Sequence, residues 1–183
     1  MDINIGASSA SVMYVPVNIV AILVQSAIIL AWTRAILVIH QFGIPANMER
    51  IMAIAKKHNL FVIEDCAQAH GAEYKGKYVG TIGDIGVFSM NVNKSIQSGE
   101  GCVCTTNDED LCYRLQLIRN HGEAVVGPAG YKDITNIAGF NYRLSELHAA
   151  IIREQLKKLD SLNNTRLKLV QQLTAGLNKF KFF

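Results

Sequence analysis

The sequence predicts an α/β fold built on a mostly parallel sheet, and three observations predict it. Two short runs, AILVIH (Ala35 to His40) and LFVIED (Leu60 to Asp65), are almost continuously apolar, as parallel strands covered on both faces are. Between them Met48, Ile51, Met52 and Ala55 recur at helical spacing. A strand, helix and strand within about thirty residues make a βαβ unit, whose ligand-facing residues lie at the carboxyl ends of the strands. At 183 residues the chain has about one domain's length, enough to bury a core.

The elements follow in order. Pro45 suits the first position of the helix between the strands, and Lys56, Lys57 and His58 place positive charge at the negative end of its dipole. Glu64 and Asp65 close the second strand, where ligand-facing residues belong. EYKGKYVG predicts a small hairpin turning at Lys75 to Lys77, IGVFSM a further buried strand, and CVCTT another short strand. Thr106 with Glu109 predicts a capping box for a helix whose apolar face is Leu111, Leu115 and Ile118. Four glycines and a proline between Gly122 and Gly139 predict a loop. Leu144, Leu147, Ile151 and Ile152 stripe a further helix, and Leu162, Leu169, Leu173 and Leu177 a last one.

Composition narrows the function. The net charge of +3 is small and the basic residues are scattered, so no nucleic-acid partner is expected. Cys66, Cys102, Cys104 and Cys112 match no zinc spacing and read as reduced thiols in a cytoplasmic protein. The run from Ile3 to Thr33 carries no charge and is long enough to span a bilayer. Pro16, Asn18, Gln25 and Ser26 interrupt it and no basic residue precedes it, so a soluble segment is the expectation and a membrane anchor the alternative.

Two glycine motifs are decoys. GAEYKGK has P-loop spacing up to its lysine, but Tyr78 stands where a Ser or Thr binds magnesium, and YVGTIG does not begin a helix. GTIGDIG is tight-turn chemistry. The sharper set is Asp65 at a strand end, Gln68 three residues on, Ser89 at a later strand end, and Lys94 beyond it. A partly desolvated lysine can lose its proton and condense with an aldehyde, which is how pyridoxal phosphate is carried. An ionised carboxylate beside the pyridine nitrogen keeps that nitrogen protonated, a serine hydroxyl can hold the phosphate, and Gln68 can reach the ring oxygen.

Around these residues the chain resembles the nucleotide-sugar aminotransferases of the DegT/StrS type, pyridoxal-phosphate enzymes of the aspartate aminotransferase fold. The resemblance runs from Thr33 to about Asp160 and rests on FVIEDCAQAHGAEYKGKYVGTIGDIGVFSMNVNKSIQSGEG with the stretch before it, then RNHGE, then GFNYRLSELHAAI and QLKKLD. It implies that Lys94 carries the cofactor and shuttles the substrate proton. It also implies that Asp65 pairs with the pyridine nitrogen, Gln68 lies near the ring oxygen, and Ser89 binds phosphate. Asn141 corresponds to a residue given to the phosphate site of a neighbouring subunit, which implies a homodimer with shared active sites. His121 and Glu123 lie near the substrate or serve the loop structurally. The implied reaction moves an amino group from glutamate, or glutamine, to a keto group on a nucleotide-linked deoxysugar, toward polysaccharide or aminosugar synthesis.

The resemblance also implies boundaries: a divergent apolar segment over 1–32, a cofactor-binding core over 33–160, and a C-terminal helix over 161–183 that starts a small domain. Family members run to about twice this length, with a phosphate loop and a ring-stacking aromatic well before the lysine. GASSA and VPVNIVAILVQSAI stand where that loop and the strand and helix after it would fall. Met90 replaces a common aromatic and Cys102 the second glycine of a GEGG turn. The competing readings are an inactive fragment or partner subunit and a sugar dehydratase; the latter is opposed by Lys94, which that branch replaces with histidine.

Overall fold

The computed structural model describes residues 11–15, as backbone alone, and 33–122 and 137–180 with their side chains. In chain order the strands are β1 (Ser11–Val15), β2 (Thr33–Ile39), β3 (Phe61–Asp65), β4 (Glu73–Tyr74), β5 (Lys77–Tyr78), β6 (Ile85–Ser89) and β7 (Cys102–Thr105). The helices are α1 (Met48–His58), α2 (Glu109–Arg119), α3 (Glu146–Leu156) and α4 (Leu159–Leu177). Five strands form one sheet in the order β1-β2-β3-β6-β7, with β4 and β5 apart as a hairpin. The first four are parallel and β7 runs antiparallel to β6, so the expected α/β class and mostly parallel sheet are both present.

Directly paired residues share a face, so register sorts the sheet into two sides. Ile36 and Val38 on β2 and Val62 on β3 pack on Ala46, Met48, Ile51 and Ala55 of α1 and its lead-in, which is the βαβ unit the sequence predicts. The helix starts later than Pro45: Asn47 is the cap, its Oδ1 accepting from Arg50 N–H, and Met48 is the first helical residue. The cap also accepts from the Tyr74 hydroxyl at 3.1 Å, so the hairpin helps fix where the helix begins. Lys56, Lys57 and His58 fill the last turn as expected.

The hairpin turns on Lys75 and Gly76, at φ 51° and 78°. Two successive positive φ values are the pattern of a tight I′ turn, and a hairpin with no following helix is incompatible with a P-loop. At α2 the cap is Asp108, which accepts from Leu111 N–H; Thr106 instead donates to the Asp84 carbonyl. The buried face of α2 is Tyr113 and Leu117, with Leu111, Leu115 and Ile118 only half-buried. In the next helix only Ile152 of the expected stripe is buried, against Met90 and Ile96. No residue of α4 is buried.

The ends of the glycine-rich loop meet: His121 N–H donates to Phe140 C=O and Phe140 N–H to Ile118 C=O, both at 3.0 Å. Its interior, with Glu123, lies outside the described residues, as does most of the apolar N-terminal run. The part described is SVMYV, which forms β1 and covers the outer edge of β2. Among the described residues no helix is long and apolar enough to cross a membrane.

Candidate active site

Asp65 and Ser89 end neighbouring parallel strands. The register Asp65↔Val87 puts Asp65, Val87 and Ser89 on one face, opposite the face that α1 covers. Asp65 is half-buried; its Oδ1 accepts from Ala67 N–H at 3.0 Å, a local turn that fixes the carboxylate, and no described cation pairs with it. Ser89 Oγ accepts from Asn91 N–H at 3.3 Å.

Past Ser89 the chain folds back on itself. Met90 N–H donates to Gly101 C=O, Val92 N–H to Gly99 C=O and Ser98 N–H to Met90 C=O, closing a loop with Lys94 near its tip. Asn91 braces it by accepting from Asn93 N–H and donating to Glu100, and Lys94 N–H donates to Asn91 C=O. Ile96, 2% exposed, plugs the loop into the cluster formed with Met90 and Ile152. The backbone under Lys94 is therefore fixed, while among the described residues nothing hydrogen-bonds or ion-pairs with Nζ.

Gln68 lies in the turn after Asp65, exposed, with Oε1 accepting from Phe42 N–H at 2.9 Å. That bond ties it to the short 3-10 turn Gln41–Gly43 at the end of β2 and leaves its amide N–H groups for another partner. Four of the five expected residues thus gather at the carboxyl edge of β3 and β6 and on the loops leaving it. Asn141 does not join them: it is exposed and forms an isolated bridge with Asn120 at the end of α2. His121 lies at the same place in the turn that closes the loop.

Glu64 corrects the expectation for the strand end. It points to the α1 side and is completely buried, accepting from His40 Nε2 (3.0 Å), Gly80 N–H (2.9 Å), Ile82 N–H (2.8 Å) and Gly83 N–H (2.6 Å). Burial pushes its carboxyl up, but the His40 bond and the three backbone donors outweigh that and hold it below the usual carboxylate range. Ala46 N–H donates to His40 Nδ1, so the imidazole carries its proton on Nε2. GTIGDIG is therefore the turn that wraps Glu64, and Glu64 a structural anion. His40, Glu64 and Cys66 lie close enough together to suggest a metal, but these bonds already use the first two, and burial, with the charges of Glu64 and Asp65, pushes the Cys66 thiol far up.

The sequence reading did not single out His70. Its Nε2–H donates to the Ser89 carbonyl at 2.9 Å, its ring lies 5.7 Å from Phe88, and its own carbonyl accepts from Asn163 of α4. It joins the Asp65 turn, the end of β6 and α4. Burial, the largest influence, and the nearby charge of Lys94 hold it below the ordinary histidine range against the opposing effect of the Ser89 bond. No motif marks such a histidine, because its partner is a backbone carbonyl nineteen residues away. On the other side of the sheet His70, Phe88, Met90, Val103, Ile152 and Leu159 line a mostly apolar pocket of about 440 Å³, away from Asp65 and Ser89.

A mostly parallel sheet thus carries an acid and a serine at adjacent carboxyl ends and a lysine on the following loop, the end at which open α/β sheets bind their ligands. The chain belongs to the DegT/DnrJ/EryC1/StrS aminotransferase family, whose profile matches residues 8–183. It is 41% identical over 146 residues to GDP-perosamine synthase of Escherichia coli O157:H7, covering 80% of this chain and 39% of that protein. It is 46% identical over 139 residues to dTDP-3-amino-3,6-dideoxy-alpha-D-galactopyranose transaminase of Aneurinibacillus thermoaerophilus, covering 75% and 36%. Among solved structures, the aminotransferase from Psychrobacter cryohalolentis superposes with a TM-score of 0.76 at 38% identity, covering 85% of this chain and 41% of that one. The chain spans about two fifths of the length of these relatives.

Proposed function

We propose that this chain carries the cofactor-binding core of a pyridoxal-phosphate aminotransferase that moves an amino group from glutamate or glutamine to a keto group on a nucleotide-linked sugar. The observation that carries the reading is the pairing of unmet charges at one sheet edge: Asp65 without a described cation and Lys94 without a described anion, on either side of Ser89 in the chain. A phosphorylated pyridine aldehyde fits that donor set, because its ring nitrogen needs an acid, its phosphate a hydroxyl and its aldehyde an amine. When bound it supplies an electrophile for amines and a protonated ring that accepts the electrons of a broken C–H bond.

Asp65 would hold the proton at the ring nitrogen, the Ser89 hydroxyl would hold the phosphate, and the free amide of Gln68 would donate to the ring oxygen. Lys94 Nζ takes and returns the proton at the substrate carbon, on a loop that keeps its backbone still. Asn141 belongs in this reading to the phosphate site of a partner subunit in a homodimer. Its exposure and its lack of any hydrogen bond to the other four residues support that assignment. The relatives' names, GDP-perosamine synthase and a dTDP-aminosugar transaminase, support the substrate class.

A second reading, an inactive partner or fragment, is favoured by the exposed apolar residues of α4: Leu169, Val170 and Leu173 are each 58–62% exposed. An absorbance titration with pyridoxal phosphate separates the two. A visible band that requires Lys94, is absent in Lys94→Ala and bleaches on adding glutamate supports the proposed function. No band above the Lys94→Ala baseline sinks it.

A further inference from the structure

Ser89 ends β6 with a strand on each side, and the two sides hold it differently. Toward β7 it is paired in register with Cys102. Toward β3 the ladder stops earlier: its last registered pair is Asp65↔Val87, and the Val87 carbonyl accepts from Cys66 N–H at 2.8 Å. Carbonyls two apart on a strand point the same way, so the Ser89 carbonyl also points toward β3. By then β3 has ended at Asp65, and Ala69 N–H donates to Cys66 C=O in the turn that follows. A side chain takes the next rung: His70 Nε2–H donates to the Ser89 carbonyl at 2.9 Å. The ring is held in place, 7% exposed, packed against Phe88, with the His70 carbonyl accepting from Asn163 of α4 at 3.0 Å.

We propose that His70 is a positioning residue that fixes Ser89 for phosphate binding from the Asp65 turn. The inference rests on the function proposed above. Asp65 does not depend on the imidazole: it is paired with Ile39 on one side and Val87 on the other, and its carboxylate accepts from Ala67 N–H. Loss of the His70 donor therefore loosens the serine end of the site and leaves the acid in place. Burial and the nearby charge of Lys94 favour the neutral ring, so the bond to Ser89 brings no second cation beside the lysine.

The test compares pyridoxal phosphate with pyridoxal, which lacks the phosphate, in titrations read by the visible band. Two variants remove the bond: His70→Leu keeps apolar bulk without a donor, and His70→Asn carries an amide too short to reach. His70→Gln restores a donor at about the reach of Nε2. In the first two, affinity for pyridoxal phosphate should fall about tenfold, the scale of one hydrogen bond, while affinity for pyridoxal stays within about twofold. His70→Gln should recover most of the loss. Equal weakening of both aldehydes, as a merely structural role would give, or an unchanged preference for the phosphate form would overturn the inference. Failure of the proposed function reads differently, as no wild-type band above the Lys94→Ala baseline, and it removes the phosphate role as well. Amide exchange without ligand reads the clamp by itself: Met90 and Val92, whose N–H groups bond Gly101 and Gly99, should exchange faster in His70→Leu. Unchanged exchange there would also overturn the inference.

Discussion

Four donors converge on the Glu64 carboxylate, two of them, from His40 and Gly80, on buried residues. Changing Glu64 to Gln keeps the shape but turns an amide N–H₂ toward groups that are themselves donors. That substitution should cost about 2–4 kcal/mol in urea denaturation, the range for breaking a buried charged network. A midpoint unchanged from wild type would show that the network contributes nothing. The sign with pH follows from the lowered carboxyl: its contribution is fully present above the unfolded value of about 4.3 and is lost as pH falls through the lower folded value. Wild type should therefore lose stability in that acid window, and Glu64→Gln should lose less. Asp65, next in sequence, faces the other side and, among the described residues, its carboxylate has only its local turn to hold it. One step along a strand thus separates a structural acid from the acid assigned to chemistry.

Alternation of faces explains what was legible in the chain and what was not. Apolar continuity identified β2 and β3 because parallel strands are covered on both sides, and helical spacing identified α1. The starts of α1 and α2 were misplaced, since Asn47 and Asp108 won the cap positions through bonds that Pro45 and Thr106 do not make. The shared position of Asp65, Gln68, Ser89 and Lys94 at one sheet edge was legible through motif resemblance and strand-end position. His40 and His70 were not, because each acts through partners distant in sequence. Glycines divide along similar lines. Gly76 at φ 78° has open space around it, so Gly76→Ala should cost about 1 kcal/mol, from backbone strain alone. Gly86 lies on β6, where a Cβ would come within 2.3 Å of the Gly80 carbonyl and 2.5 Å of Thr105 Oγ1. Gly86→Ala should cost about 2–3 kcal/mol and loosen the Glu64 turn. Equal costs in thermal melts would contradict the close packing of β6 against that turn.

Across the whole molecule, burial is uneven. β2, β3 and α1 share one cluster, whereas α4 reaches the turn after β3 through Asn163 to the His70 carbonyl and turns Leu167, Leu169, Val170, Leu173 and Leu177 outward. In amide hydrogen exchange α4 should open well before β2 and β3; equal protection would mean that its apolar face is covered in solution. Such a face invites association, in keeping with the proposed homodimer, and the chain's two-fifths share of its relatives' length leaves other contacts to the rest of those proteins. The central claim nevertheless rests on one side chain whose backbone is fixed on a loop at the sheet edge. Its most direct test is borohydride reduction of the chain mixed with pyridoxal phosphate, followed by peptide mass mapping. The account predicts a stoichiometric pyridoxyl mark on Lys94 and little on any other lysine. A mark spread over the surface lysines, with Lys94 no more reactive than the rest, would contradict it.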